Sequence, residues 1–271
     1  MVTISTVTAI GATAHAALTR TAGAARILAR LTGSTYLTAG ETLVWLGPPG
    51  AMLHPRTIVA GAAAADGDDL RFAIDGLVPW RPAPLALDRA SMATLGRVWR
   101  GLVADLNAFG VPGGFGALLV GAPLAFPLES ARRDAEDLAG ACARDDAPAA
   151  AAAALALLGV GGGLTPSGDD FVGTALFARR LLSYAGVADA EGWRRTADAV
   201  LAAAPARTHP LSVALLGDLA QGQAYAPLHD LMHGLAHDAP DAARDAARRL
   251  VRLGHSSGWD MLAGLGAGLA I

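Results

Sequence analysis

The residues best suited to chemistry lie in one run, Gly159-Val-Gly-Gly-Gly-Leu-Thr-Pro-Ser-Gly-Asp-Asp-Phe-Val-Gly173. Gly161, Gly162 and Gly163 allow positive φ and close approach of backbone to a ligand. Thr165 can act as a helix N-cap with Pro166 at the first helical position. Ser167, Gly168 and Asp169 then fall in the first turn, where free amides and the positive end of the helix dipole favour an anion. Asp169 and Asp170 compete for the same field. Three roles stay open for them: filling the dipole field, holding a Mg²⁺ that bridges to phosphate, or accepting an amide N–H. The run is neither a dinucleotide fingerprint nor a Walker A loop, because a helical segment precedes it and no Gly-Lys-Ser/Thr follows.

A second polar cluster, Gly254-His-Ser-Ser-Gly-Trp-Asp-Met-Leu-Ala-Gly264, has the same style. Ser256 or Ser257 can cap the helix that follows, with Asp260 in its first turn. His255 can donate a proton or bind an anion as imidazolium. The two helix starts are expected to face one another across one pocket. Pro205-Ala-Arg-Thr-His-Pro-Leu-Ser212 is a third loop entering a helix. There Arg207 could fork onto a carboxylate or phosphate, beside Thr208. His209 reads equally well as an ordinary loop residue.

Other constellations read as structural. His229, His233 and His237 recur every four residues without an HExxH glutamate, so a solvated or partly buried face is expected. His54 and Arg56 follow a strand and could touch a ligand. Cys142 sits in an Ala-rich helix as inert packing. A serine hydrolase is disfavoured, since no Gly-x-Ser-x-Gly elbow is present.

These residues need elements to hold them. Hydrophobic residues make up 53% of the 271 and charged residues 17%, enough for a packed core. The net charge of −3 gives no reason to expect nucleic acid or a polybasic membrane contact. All 21 basic residues are Arg and none is Lys, which excludes a P-loop lysine and a lysine Schiff base. The single cysteine excludes Cys-rich zinc sites and internal disulfides. The first 19 residues lack the basic n-region of a secretory signal, and no apolar run reaches the ~20 residues of a span. A cytoplasmic protein is expected.

The fold expected is α+β, with a mainly β part over 1–120 and a helical part over 121–271 that carries the glycine-rich site. In the first part a helix is expected over 12–31. Strands are expected at Ser34–Thr38, Thr42–Leu46, Thr57–Ala60, Leu70–Ile74 and Leu77–Val78, with turns at Gly47-Pro48-Pro49-Gly50 and Asp66-Gly67-Asp68. A helix should cover Ser91–Phe109, and Ala117–Val120 could add one more strand. Helices follow at 128–144, 147–158, 169–184, 190–204, 210–219, 226–237, 240–253 and 258–270.

The sequences at 161–171 and 254–264 resemble the two hallmarks of a bacterial family that includes the AllH subunit associated with oxamate carbamoyltransferase. The segment Arg207–Ser212 resembles it more loosely. The resemblance implies a subunit working with AllF- and AllG-like partners on the conversion of oxalurate and phosphate into oxamate and carbamoyl phosphate, or the reverse. Carbamoyl transfer needs stabilisation of a developing oxyanion and a leaving phosphate, which amides at a helix start can supply without lysine. On that footing Gly161–Gly168 would bind the phosphate or carbonyl oxygen, and Asp169 and Asp170 would orient the amide or hold Mg²⁺. His255 would be the acid/base, and Arg207 would clamp the oxo-acid carboxylate. Thr165, Ser167, Thr208, Ser256, Ser257 and Asp260 complete the substrate site. Two other readings remain: a non-catalytic metabolite-binding or assembly subunit, and a metal-dependent hydrolase using Asp169 and Asp170.

Overall fold

The structure, a computed structural model, describes residues 3–30, 33–61 and 68–270. It is α+β, and the chain divides into two units: Met1–Ala83 with Ala224–Ala226, and Pro84–Gln223 with Pro227–Ile271. Among the described residues no single helix is long and apolar enough to cross a membrane.

The first unit is a closed six-stranded barrel with one helix that packs one face on its core. Its elements are β1 (Thr3–Ile10), α1 (Ala12–Arg20), β2 (Ala24–Arg30), β3 (Thr35–Ala39), β4 (Thr42–Gly47), β5 (Thr57–Ala60) and β6 (Asp69–Ala73). The order around the barrel is β1-β5-β4-β3-β2-β6. β1 with β6 and β4 with β5 pair in parallel, and the other neighbours are antiparallel. Val7, Ile10, Leu37, Val44, Ile58, Leu70 and Phe72 fill the core with Ala14, Ala17 and Leu18 of α1.

Three expectations here are corrected. The helix expected over 12–31 ends at Arg20, and Ala24–Arg30 is a strand; the last residue of that expected helix lies outside the described residues. Ala-Ala-Arg-Ile-Leu-Ala-Arg has good helix formers. However, Ala22 and Gly23 take positive φ (49° and 81°), which ends the helix, and β2 then closes the barrel between β3 and β6. Tertiary pairing outweighs local preference. Leu77–Val78 forms no strand, and Val78 is almost fully exposed. Ala117–Val120 belongs to a 3-10 turn, Gly114–Val120, not a strand. The β-branched run of β1 was not anticipated. The turn expected at Asp66-Gly67 lies outside the described residues.

The second unit is helical: α2 (Ser91–Asp105), α3 (Arg132–Ala143), α4 (Ala147–Leu157), α5 (Ser167–Tyr184), α6 (Ala190–Ala203), α7 (Pro210–Ala220), α8 (Ala226–Ala236), α9 (Pro240–Leu250) and α10 (Ser257–Leu269). All eight helices expected after residue 128 are present, the first with a 3-10 turn at Leu128–Ala131 as its opening. Side-chain caps set several starts: Asp146 accepts the Ala149 N–H at 3.1 Å and Asp189 accepts the Glu191 N–H at 3.2 Å.

α5 is the axis of this unit, buried at every position from Ser167 to Arg179. α10 lies against it backbone to backbone. A Cβ on Gly264 would sit 2.2 Å from the Phe171 carbonyl oxygen, and one on Gly268 would sit 2.5 Å from that of Ala175. The far part of α5 is pinned by Arg179. Its guanidinium pairs with Asp145, donates to the Cys142 carbonyl at 3.3 Å and lies 4.6 Å from the Trp193 ring centre. Burial pushes the Cys142 thiol up to about 12, so it stays protonated and inert.

Candidate functional site

The two acids at the start of α5 have different surroundings. Asp169 is a tie. Its Oδ1 accepts the Gly159 N–H at 2.8 Å, and its Oδ2 accepts the Ser212 hydroxyl at 2.6 Å and the Thr208 hydroxyl. One side chain therefore fastens the glycine loop and the entry to α7 onto α5. Gly159 makes this possible: its φ is +77°, and a Cβ there would meet the Arg207 carbonyl oxygen at 2.3 Å.

The helix starts at Ser167 with Pro166 in the N-cap position, one residue beyond the Thr165 cap expected. The amides of Asp169 and Asp170 donate to the Pro166 carbonyl at 2.9 and 3.2 Å, and that of Gly168 donates to Val160 at 2.8 Å. Of the three first-turn amides expected to be free, those of Gly168 and Asp169 are thus bonded within the chain. Gly161 and Gly163 take φ of 111° and 90°, while Gly162 and Gly163 are exposed.

The second polar cluster is built the same way. Ser167-Gly168-x-Asp170 opens α5 and Ser257-Gly258-x-Asp260 opens α10. A Cβ on Gly168 would lie 2.0 Å from the carbonyl oxygen of Leu157, the last residue of α4. A Cβ on Gly258 would lie 2.0 Å from that of Leu250, the last residue of α9. The Gly258 amide folds back to Leu253 at 3.0 Å, as that of Gly168 does to Val160. Each glycine lets a helix start press onto the end of the preceding helix.

The two constructions meet through their hydroxyls. Thr165 and Ser257 are 3.1 Å apart, and Ser167 and Ser256 are 3.3 Å apart. Ser256 stands at the N-cap of α10 but makes no side-chain cap bond, and its hydroxyl goes across to Ser167 instead.

Asp170 and Asp260 occupy equivalent positions in this arrangement, and both are essentially fully buried. Asp260 Oδ1 accepts the Phe115 N–H at 2.6 Å, at the start of the 3-10 turn. Gly114 leaves room for it: φ is +52°, and a Cβ would be 2.0 Å from that oxygen. The Oδ2 atoms of both Asp170 and Asp260 are buried without a hydrogen-bond partner. Burial pushes the Asp170 carboxyl well above the usual range. The Ser257 hydroxyl opposes this, and the charges of Asp260 and Asp169 add to it. Burial raises Asp260 to about 6, against the opposing Phe115 amide and the Ser256 and Ser167 hydroxyls.

The remaining candidates are spread more widely. Arg207 is exposed and its guanidinium donates to the Leu155 carbonyl. Thr208 is bonded to Asp169, and His255 is exposed beside the start of α10. His209 sits at the N-cap of α7, its Nδ1 accepting the Leu211 N–H at 3.2 Å. His229 is buried edge-on to Phe177, and burial lowers its pKa to about 4. His233 and His237 stack at 5.7 Å. In the barrel unit, His54 is buried between Trp45 and Tyr225, at 4.8 and 4.7 Å, while Arg56 donates to the Leu43 carbonyl at 3.0 Å. Among the described residues no group of three His, Cys, Asp or Glu could hold a metal ion. Gly114 and Phe115 were not singled out from sequence; a Gly-Gly-Phe-Gly run was the available signal.

Both polar clusters fall inside one stretch with a relative. Residues 157–269 match the family model of oxamate carbamoyltransferase subunit AllH. The AllH match runs from the last residue of α4 to the last residue of α10. It takes in Asp169, Asp170, Arg207 and Asp260, and leaves out the Gly114–Phe115 backbone that meets Asp260. Neither a curated protein nor a solved structure matches the chain.

Proposed function

We propose that this chain is a subunit of an oxamate carbamoyltransferase-like complex, acting with AllF- and AllG-like partners on oxalurate, phosphate, oxamate and carbamoyl phosphate. The AllH match supports the family context. The observation that carries the site is the junction of two like-built helix starts, linked by Thr165–Ser257 and Ser167–Ser256 contacts around two buried acids with unpartnered oxygens. A small ligand that offers hydrogen-bond donors and acceptors suits such a junction, since unpaired buried polar atoms are costly.

Within this reading Asp169 holds the site together, Asp170 and Asp260 face the ligand, and Ser167, Ser256 and Ser257 set their positions. Gly161, Gly162 and Gly163, with Arg207 and His255 on the exposed side, are the candidates for a phosphate or carboxylate. Mg²⁺ would have to use Asp170 and Asp260 with ligand oxygens, because Asp169 is committed to protein donors.

The test is reconstitution of the chain with its partner subunits and measurement of carbamoyl phosphate formation from oxalurate and phosphate. Asp170→Ala should assemble as the wild type does and lose at least about 99% of the rate, as removal of a positioned polar group in a dry site does. Full activity in that variant would remove the acid from the reaction. It would also favour the second reading, an assembly subunit whose junction is purely structural. The saturated bonding of Asp169 and the first-turn amides is what speaks for that alternative.

A further inference from the structure

We propose that Asp170 and Asp260 act as one amide-recognition pair. Their two unpartnered Oδ2 atoms take the planar –CO–NH₂ end of a small ligand, one accepting its N–H and the other donating to its carbonyl oxygen. The inference deepens the carbamoyltransferase reading and rests on the junction being the substrate site.

The geometry argues for a pair rather than for two separate acids. Asp170 and Asp260 stand at the same place in two repeated helix starts, three residues after Ser167 and Ser257. The hydroxyls beside them bridge the two helix starts: Thr165 meets Ser257 at 3.1 Å and Ser167 meets Ser256 at 3.3 Å. Each carboxyl is buried beyond nine-tenths, and each keeps one oxygen without a partner. Two such atoms in one cluster call for a ligand that can satisfy both.

The charge of the site selects the class of ligand. A phosphate or carboxylate end would face two acids, and Arg207, the cation expected at the site, is exposed and donates to Leu155. An amide end is neutral and carries a donor and an acceptor on one edge. A carboxyl pair that holds one proton carries the complementary acceptor and donor. Mutual charge and burial favour that shared proton. The Phe115 amide on Asp260 favours its ionised form, which makes Asp260 the acceptor and Asp170 the donor.

The test is calorimetric titration of the full chain with oxamate and with oxalate, which replaces the amide by a second carboxylate. Wild type should prefer oxamate by about tenfold or more, because a site built for an N–H rejects an analogue lacking it. Asp260→Asn turns the acceptor into a donor, so the preference should shrink to about threefold or reverse toward oxalate. Asp170→Ala, which removes the donor, should weaken oxamate at least about tenfold. Circular dichroism checks that the variants fold, and the ligand comparison in wild type stands without them. Equal affinity for oxamate and oxalate in wild type, or a preference unchanged in folded variants, overturns the pair. With oxamate still bound, either result leaves the carbamoyltransferase reading in place. Failure of wild type to bind oxamate, alone or in the reconstituted complex, overturns both.

Discussion

An α-helix turns by about 100° per residue, so adjacent side chains face different neighbours. For Asp169 this means three protein donors, and for Asp170 an unpartnered oxygen. Asp169→Ala should therefore cost about 3 kcal/mol or more in denaturant unfolding, since it unties the loop and the start of α7 and leaves buried donors unpaired. A loss below about 1 kcal/mol would contradict its role as a tie. For Asp260 the direction is the opposite of an ordinary surface acid. Its folded carboxyl keeps a proton up to about 6, whereas an unfolded aspartate releases it near 3.8. The stability this contributes is complete below about pH 4 and is lost as pH rises through about 6. The stability of wild type relative to Asp260→Asn should fall over that window, by at most about 3 kcal/mol. Urea unfolding at several pH values measures it, and a difference independent of pH would contradict the burial argument. The sequence made both acids at 169 and 170 visible as helix-start residues. It could not separate their roles, because the donors on Asp169 come from residues far along the chain.

Helix contact is decided by glycines that look alike in sequence. Gly264 of α10 faces the Phe171 carbonyl with no room for a Cβ, while Gly217 of α7 has nothing within 4 Å. Gly264→Ala should cost about 1–3 kcal/mol by forcing α10 off α5, and it should displace Asp260 with it. Gly217→Ala should stabilise by about 1 kcal/mol through helix propensity alone. Thermal unfolding of the two variants checks both, and matching shifts would show that α5 and α10 tolerate separation. The helices were legible to within a few residues because their apolar periodicity and breaks, such as Asp146 before α4 and His209-Pro210 before α7, are local. The barrel was harder to read. β2 is written in helix formers, and the parallel pair β1–β6 joins the first strand to the last, so no local pattern announces closure. The 3-10 turn at Gly114–Val120 was likewise hidden, since Asp260 at the other end of the chain sets its first amide.

At the scale of the whole molecule, the chemistry-bearing residues gather in the helical unit, largely inside the stretch that matches AllH. The barrel unit contributes His54, which its aromatic neighbours enclose. That the two polar runs share one style was readable from sequence. That they meet, and that Asp170 and Asp260 become equivalent, depends on α5 and α10 packing at glycine distance, which only the folded chain displays. The most direct measurement is a crystal structure of the chain, in complex with its partners if needed, grown with oxamate. The account predicts oxamate density at the α5–α10 start, its amide end within hydrogen-bond distance of Asp170 Oδ2 and Asp260 Oδ2. Oxamate bound elsewhere, with those two oxygens still without a ligand, would contradict it.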